Sequence, residues 1–568
     1  MSSYRTPYDT ALETLTQVGS PFQLGPQTFA GIEYPNTYVN APKSLIELMQ
    51  AGREHGSKEF LVFQDERWTF DDFFEQADKL SHQLTHRYGI KSGDRVAIAM
   101  RNYPEWLVAF TAIVHCGAIA VPLNSWGKQE ELRQNIDDAD VALLVCDLQR
   151  AVLIQPAELN LRAIVARTEG EPLPDSCAAY DEVIDDANSV PVAERLPVVN
   201  IDPEDTAMIM FTSGTSGKPK GAVFSHRGCS QAVFNFEALG AAAYLTNMEK
   251  YQNHARTTPI VRALLSIPLF HVSALFSQFL LNLRGGRPLV LMYKWDAAEA
   301  CRLVHQEQIS TMAGAPSMLL DLLRHPDFET IDHSHLINLS VGGAATPAKL
   351  LALVREKAPT ALSGAGWGMT ESTSVGASFT GHFIDLKPKA SGFPAPIVEM
   401  RFCNDAGDEL PAGEAGEIWI KSPGICTSYY QNPQASAETF QDGWLRTGDV
   451  GYLDEDGCLY ICDRVKDMVN RNGENIYPVE IENCLQSMPG VEFVVAFGIP
   501  SEQHGEELAV VIKTRDNNLT EADVQGFCKQ HLAHFKVPSK VAFTDQDFPR
   551  NATSKVLKKE VRAMFFPE

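Results

Sequence analysis

The sequence predicts an α/β protein: a large N-terminal domain of several subdomains, with βα layers and a β-rich part, followed by a small α+β C-terminal domain. Three observations carry this. The 568 residues exceed the length at which a single hydrophobic core stops growing. Apolar runs of strand length alternate with amphipathic stretches of helix length through the first two thirds, the pattern of βα units on a mostly parallel sheet. Past residue 390 the pattern changes twice, first to Gly-punctuated strands and then to strands mixed with capped helices.

Taken in order, "RVAIAM" from Arg95 reads as a strand, "YPEWLVAFTAIVHCG" as a helix and "AIAVPL" as a strand. "EELRQNIDDAD" then reads as a helix and "VALLVCD" as a strand. The Pro- and acid-rich stretch from Glu169 to Pro203 reads as a surface connection that delivers the chain to the strand "TAMIMFTS". "RALLSIPLF", "PLVLMY" and the helical "AAEACRLVHQEQ" continue the α/β pattern. From Ser391 to Tyr460, "GEIWIKSP" and the turn "DEDG" mark the β-rich part. Beyond Asp463, "FVVAFGI", "ELAVVIK" and "KVAFTD" are strands, and Thr520-x-x-Asp523 opens a helix with a capping box. These divisions give domains at 1–463 and 467–568, joined through 464–466.

A formal net charge of −24 offers no basic field for nucleic acid or an anionic membrane surface, so a small-molecule partner is expected. The 11 cysteines form no C-x-x-C pair and fit reduced, mostly buried thiols. The N-terminus has no signal-like apolar stretch, and no segment approaches about 18 uninterrupted apolar residues. A cytoplasmic protein without a transmembrane segment is the expectation.

"FTSGTSGKPKGAVFSH", from Phe211 to His226, crowds glycines, hydroxyls and lysines into one loop. It is not a Walker A loop, because Pro219 follows Lys218 where a hydroxyl residue is required and no glycine stands five positions before Gly217. Its glycines still let backbone amides turn toward an anion, with Thr212, Ser213, Thr215 and Ser216 adding donors and Lys218 and Lys220 adding charge.

This loop resembles the signature of the acyl-adenylate-forming superfamily of acyl-CoA synthetases, peptide-synthetase adenylation domains and firefly luciferases. "GWGMTES" at Gly366–Ser372, "TGD" at Thr447–Asp449, "DRVKDMVNRNGENIYPVEIE" at Asp463–Glu482 and "PRNATSKVLKKE" at Pro549–Glu560 follow in that family's order and spacing. The resemblance, which runs from about Thr69 to the end of the chain, implies that a carboxylate attacks the α-phosphate of ATP. A thiol then takes the acyl group and AMP leaves. Such chemistry needs cations and donors aimed at the charge that builds up during transfer.

By the same resemblance, Thr212, Ser213, Gly214, Thr215, Ser216, Gly217, Lys218 and Lys220 clamp the β- and γ-phosphates. Glu371, with Thr212, holds Mg²⁺, and Thr370 touches the α-phosphate; oxygen ligands of this kind suit a hard cation. Gly343, Ala344 and Ala345, in "VGGAAT", lie along adenine, as do Gly366, Trp367, Gly368 and Met369; Trp367 stands where the family usually has tyrosine. Asp449 binds the ribose hydroxyls and Arg464 makes a second nucleotide contact. Lys555 bridges the attacking carboxylate and the α-phosphate, with Ser554 replacing the commoner glycine before it. Lys466 is the hinge on which the small, mobile domain swings between the two half-reactions. Gly473 lies on the thiol path, next to an Asn472 that replaces a frequent glycine.

His271, in "IPLFHVSALF", stands where acyl-CoA synthetases carry a gate between acyl pocket and pantetheine path, with Gly342 on the same route. The same stretch lacks the acidic residue that anchors an amino-acid substrate, which favours an apolar carboxylic acid. Phe276, Phe279, Leu280 and Leu281 either line the acyl cavity or pack in the core. The expected activity is ATP-dependent ligation of a medium- or long-chain carboxylic acid to CoA, with Mg²⁺, ATP and CoA required. The alternative acceptor is a carrier-protein thiol. A homodimer is the oligomer expected, if one forms.

Overall fold

In the computed structural model the described residues are 4–197, 199–212, 219–343, 346–471, 474–501, 504–516, 518–550 and 556–567. The fold class is the predicted one, with a large N-terminal domain of mixed α/β and β-rich parts and a small C-terminal α+β domain.

Two large sheets carry the N-terminal domain. The first runs Ser428–Tyr429, Lys220–Ser225, Thr206–Thr212, Ile119–Pro122, Arg95–Ala99, Leu143–Asp147, Ala163–Ala166, Cys177–Ala179. It is parallel from Thr206–Thr212 onward. The second runs Phe393–Pro394, Ala377–Thr380, Leu362–Trp367, Asn338–Val341, Ile309–Gly314, Arg262–Leu265, Leu289–Leu291, Glu59–Phe63, Glu66–Thr69. Its six central strands are parallel.

The largest core joins both sheets through the helices Phe70–His86, Pro104–His115 and His226–Thr246. Every residue of Pro104–His115 is buried. That is the fate of a helix whose apolar residues occupy all sides rather than one stripe.

One expectation needs correcting. The stretch 169–203 is more than a surface connection, because Cys177–Ala179 adds the outermost strand of the first sheet. The helix Tyr180–Asp186 behind it buries Tyr180, Val183 and Ile184. Its short apolar runs are diluted by acidic and proline residues, so no periodic signal rises above them.

The β-rich part is a sheet of Glu399–Cys403, Gly416–Lys421, Trp444–Leu453 and Phe440–Gln441, with Leu459–Arg464 paired to Trp444–Leu453. The C-terminal sheet centres on Gly505–Lys513, flanked by Phe493–Ser501 and Lys540–Thr544. Helices Pro478–Gln486 and Glu521–His531 cover one face, and Lys558–Phe565 covers the other. Thr520 and Asp523 do form the predicted capping box.

Candidate active site

Asp449 and Arg464 are cross-strand partners on the last two strands of the β-rich sheet. Their pairing brings the Arg464 Nε to 3.1 Å from one Asp449 oxygen. The other oxygen accepts the Trp367 indole N–H at 2.8 Å. Trp367 ends the strand Leu362–Trp367 of the second sheet, so this buried carboxylate ties two subdomains together. The indole supplies a polar handle where the family's phenol oxygen is missing.

Glu371 lies in the short turn Thr370–Ser372, directly after this strand. The turn is tight: a Cβ on Gly368 would stand 2.6 Å from Ser374 backbone atoms. Thr373 and Ser374 both take positive φ, at 53° and 59°. Such strain in non-glycine residues persists only where surrounding structure enforces it. The Glu371 carboxylate is 6% exposed, and burial pushes its pKa upward while the Tyr429 hydroxyl, Arg464 and Lys220 pull it back. Tyr429 donates to Glu371 Oε1 at 2.8 Å. The backbone amide of Glu371 itself also acts on this carboxylate.

Tyr429 in turn sits opposite Ala222 on the strand Lys220–Ser225. Lys220 Nζ lies 4.8 Å above its ring, and Thr212 pairs with Lys220 at the end of the hairpin. The base of the phosphate-type loop is thus linked to the buried acid. A carboxylate whose pKa is raised by burial fits a hard divalent cation, which would offset the burial of its charge.

A cleft of about 2160 Å³ opens between the domains. Gly342 and Gly343 enter it from the end of the strand Asn338–Val341, and 366–370 form the neighbouring wall. Asp449, Arg464 and His271 line it as well. Glu371, Thr212 and Lys220 stand outside its wall, and Lys466 sits in a turn where Asp467 and Met468 both donate to the Arg464 carbonyl. Ser213, Gly214, Thr215, Ser216, Gly217, Lys218, Ala344, Ala345, Gly473 and Lys555 lie outside the described residues. The C-terminal domain presents Asn483, Arg550 and Val556 to the cleft.

His271 is pushed down to a pKa of about 4 by burial, so near neutral pH it is an uncharged ring. After it, the side chains of Ser273, Ser277, Gln278, Leu281 and Asn282 follow at helical spacing along the cleft. Phe276, Phe279 and Leu280 point into the core instead, so of the four apolar candidates only Leu281 lines the cavity.

Sequence reasoning gives no role to two contributors, Tyr429 and Asp463, the latter although it opens the motif at Asp463–Glu482. Tyr429 stands in "SYY", and only its register against Ala222 brings it to Glu371. Asp463 is 4% exposed and accepts from the amides of Arg464 at 2.7 Å and Val479 at 2.9 Å. Burial is the main cause of its pKa rise to about 6. Lys558 also proves structural: it pairs with Glu482 at 2.8 Å and donates to the Ala496 carbonyl.

The sequence profile of the AMP-binding enzyme family matches residues 48–430, and that of the AMP-binding enzyme C-terminal domain matches residues 480–555. The chain belongs to the AMP-binding enzyme family. Within this family it is 32% identical over 498 residues to a feruloyl-CoA synthase of Amycolatopsis sp., covering 88% of this chain and 94% of the relative. It is 30% identical over 504 residues to a long-chain-fatty-acid–CoA ligase of Mycobacterium tuberculosis, with coverages of 88% and 94%. Among solved AMP-binding enzymes, the o-succinylbenzoate CoA synthetase of Bacillus subtilis with its acyl-adenylate superposes with a TM-score of 0.70 at 27% identity, covering 91% of this chain and 97% of that one. The protein is an AMP-forming carboxylate–CoA ligase. Among the described residues no helix is long and apolar enough to cross a membrane.

Proposed function

We propose that this AMP-binding enzyme converts a carboxylic acid of medium length, ATP and CoA into acyl-CoA, AMP and pyrophosphate. In the first step a carboxylate oxygen bonds to the α-phosphorus, the bond from that phosphorus to the bridging oxygen breaks, and pyrophosphate leaves. In the second the CoA sulfur, having lost its proton, bonds to the acyl carbon and AMP departs with the phosphoanhydride oxygen. The observation that carries this reading is the Asp449–Arg464–Trp367 cluster at the wall of a cleft bordered by both domains.

In this scheme Asp449 receives the ribose hydroxyls, giving up the indole or guanidinium contact as it does so. Trp367, with the backbone of Gly343 to Ala345 and Gly366 to Met369, holds adenine. Thr212 to Lys220 clamp the departing phosphates. Glu371 and Thr212 would hold Mg²⁺, which would supply charge neutralisation to the phosphates. Thr370 contacts the α-phosphate, and Lys555 steadies the two anions that must meet. The chain divides at 463, with 464–466 as the hinge and 467–568 as a lid that turns about Lys466 and then presents Gly473 to CoA. Uncharged His271 and Gly342 separate acyl pocket from thiol path.

The span available supports the medium-length end of the expected medium- to long-chain range. The pocket wall runs along the strand from Asn338 to Gly342, about 13 Å at ~3.3 Å per residue. Relatives named for feruloyl, long-chain fatty and succinylbenzoate acids differ too widely to choose among acids. The test incubates the protein with ATP, Mg²⁺ and an acid panel, with and without CoA, and reads pyrophosphate and product mass. Adenylates without CoA and thioesters with it are expected; no pyrophosphate from any acid would remove the reading.

A further inference from the structure

The second sheet has two unlike faces. Leu264, Met312, Leu339 and Val341 point into one core. Their neighbours in register turn small or polar side chains the other way: Ala263, Thr311 and Asn338 in one row, Ala313, Ser340 and Gly364 in the next. Across from them the helix His226–Thr246 presents Gly240, Ala241 and Ala243 to the cavity. Phe236, Leu239 and Tyr244 of the same helix also reach the cavity, and a channel remains where the small side chains of sheet and helix leave room.

The far end of this channel is polar. From His271 to Asn282 the helical segment covers about 16 Å at ~1.5 Å per residue, ending in the glycine turn Gly285–Gly286. Gly286 takes φ 63°, and the Arg287 amide returns to the Asn282 carbonyl at 3.1 Å, a Schellman-type stop that fixes where Arg287 begins. Its side chain lines the cavity, and its Nε is buried with no hydrogen-bond partner. Glu237 lines the cavity too; it stands 2.6 Å from Arg284 Nε in a close ion pair without hydrogen-bond alignment, and its charge also acts on Arg287. Gln278 also lines the cavity; it is 4% exposed, and neither its Oε1 nor its Nε2 has a partner among the described residues. Buried polar groups in native proteins are nearly always satisfied.

We infer that Arg287 and Gln278, which line the same cavity, form a subsite for a second carboxylate, so that the acid activated is a dicarboxylic acid whose far carboxylate docks at these two side chains. The inference rests on the acid-activating reading above. Balance of charge supports it: Glu237 faces two guanidiniums, Arg284 in the close pair and Arg287 through space, so the three side chains carry one net positive charge for one further anion. An alkyl terminus at this position would keep both groups dehydrated and unpaired, whereas a carboxylate accepts from guanidinium and amide together.

The test compares kcat/KM for pyrophosphate release on matched acids, octanedioate against octanoate and decanedioate against decanoate, with the full-length protein, ATP, Mg²⁺ and CoA. The diacid is expected to win by at least about tenfold in one pair, since sites built to bind a polar group reject analogues lacking it. Arg287→Met should lower diacid turnover roughly 100-fold and raise that of the monoacid. It should not lower the melting temperature, because burial already opposes the Arg287 charge and its Nε makes no hydrogen bond, whereas loss of a structural arginine would destabilise the fold. Gln278→Leu should move the acid ratio the same way to a smaller extent. A wild-type enzyme that forms adenylates but prefers the monoacid in both pairs overturns the inference without any variant, as does Arg287→Met slowing both acids equally. If wild type forms no adenylate from any acid, the acid-activating reading itself has failed.

Discussion

Replacing Tyr429 by phenylalanine would leave Glu371 buried with neither oxygen hydrogen-bonded by a side chain among the described residues. Burial already raises the Glu371 pKa, and the phenolic donor is the foremost influence against it. Hydrogen bonds to charged groups contribute roughly 1.5–3 kcal/mol, which corresponds to about 10- to 100-fold in the affinity of whatever needs the ionised form. Tyr429→Phe is therefore expected to raise the Mg²⁺ concentration for half-maximal pyrophosphate release by about that factor. The defect should shrink at higher pH, where the carboxyl ionises without help. Unchanged Mg²⁺ dependence would show that Tyr429 serves packing alone. The sequence discloses Glu371 through "GWGMTES", whereas Tyr429 lies 58 residues on in a segment with no pattern of its own. A register across three strands is a tertiary fact, and no local spacing encodes it.

Among the elements, those with strong local signals were legible. The strands Arg95–Ala99 and Leu143–Asp147, the buried helix Pro104–His115 and the capped helix Glu521–His531 all stand where period and capping put them. Cys177–Ala179 was missed because a three-residue edge strand has too few positions to show a period. The apolar residues after His271 were ambiguous for a related reason. Periodicity says that one side of a helix is buried, and only the neighbouring sheet decides which side meets a cavity. Asp463 illustrates an element held by a costly group. It receives the Val479 amide at the start of the helix Pro478–Gln486, yet burial lifts its pKa from 3.8 to about 6. A carboxyl whose folded pKa is raised makes the native state bind more protons than the unfolded one between these two values. Stability therefore falls as pH rises through this window, by on the order of 3 kcal/mol for a two-unit shift. Asp463→Asn removes that titration. Thermal melts from pH 4 to 7 should show the wild type losing ground to the variant as pH rises toward 7. A constant difference across the window would mean that Asp463 is not the titrating group.

At the scale of the whole molecule, both domains face one cleft, and the peptide between them is short. Leu459–Arg464 belongs to the β-rich sheet of the N-terminal domain, while Val469–Arg471 already belongs to the C-terminal sheet. Only 465–468 separate the two, so any change in domain orientation must be absorbed by a few backbone dihedrals near Lys466. The cleft wall from the C-terminal domain contains Arg550 and Val556, which bracket the segment carrying Lys555, whereas Arg471 and Glu474 of the neighbouring hairpin do not line it. In the proposed cycle, transfer to CoA follows a turn of this domain. Proline at 466 would fix one φ near −65° and restrict residue 465 as well. With Lys466→Pro, pyrophosphate formation in the absence of CoA should stay within about threefold of wild type, while thioester formation from preformed acyl-adenylate falls at least about 30-fold, the pattern of a blocked conformational step. Equal losses in the two half-reactions would place the effect in the active site rather than the hinge, and full activity in both would move the pivot elsewhere in 465–468.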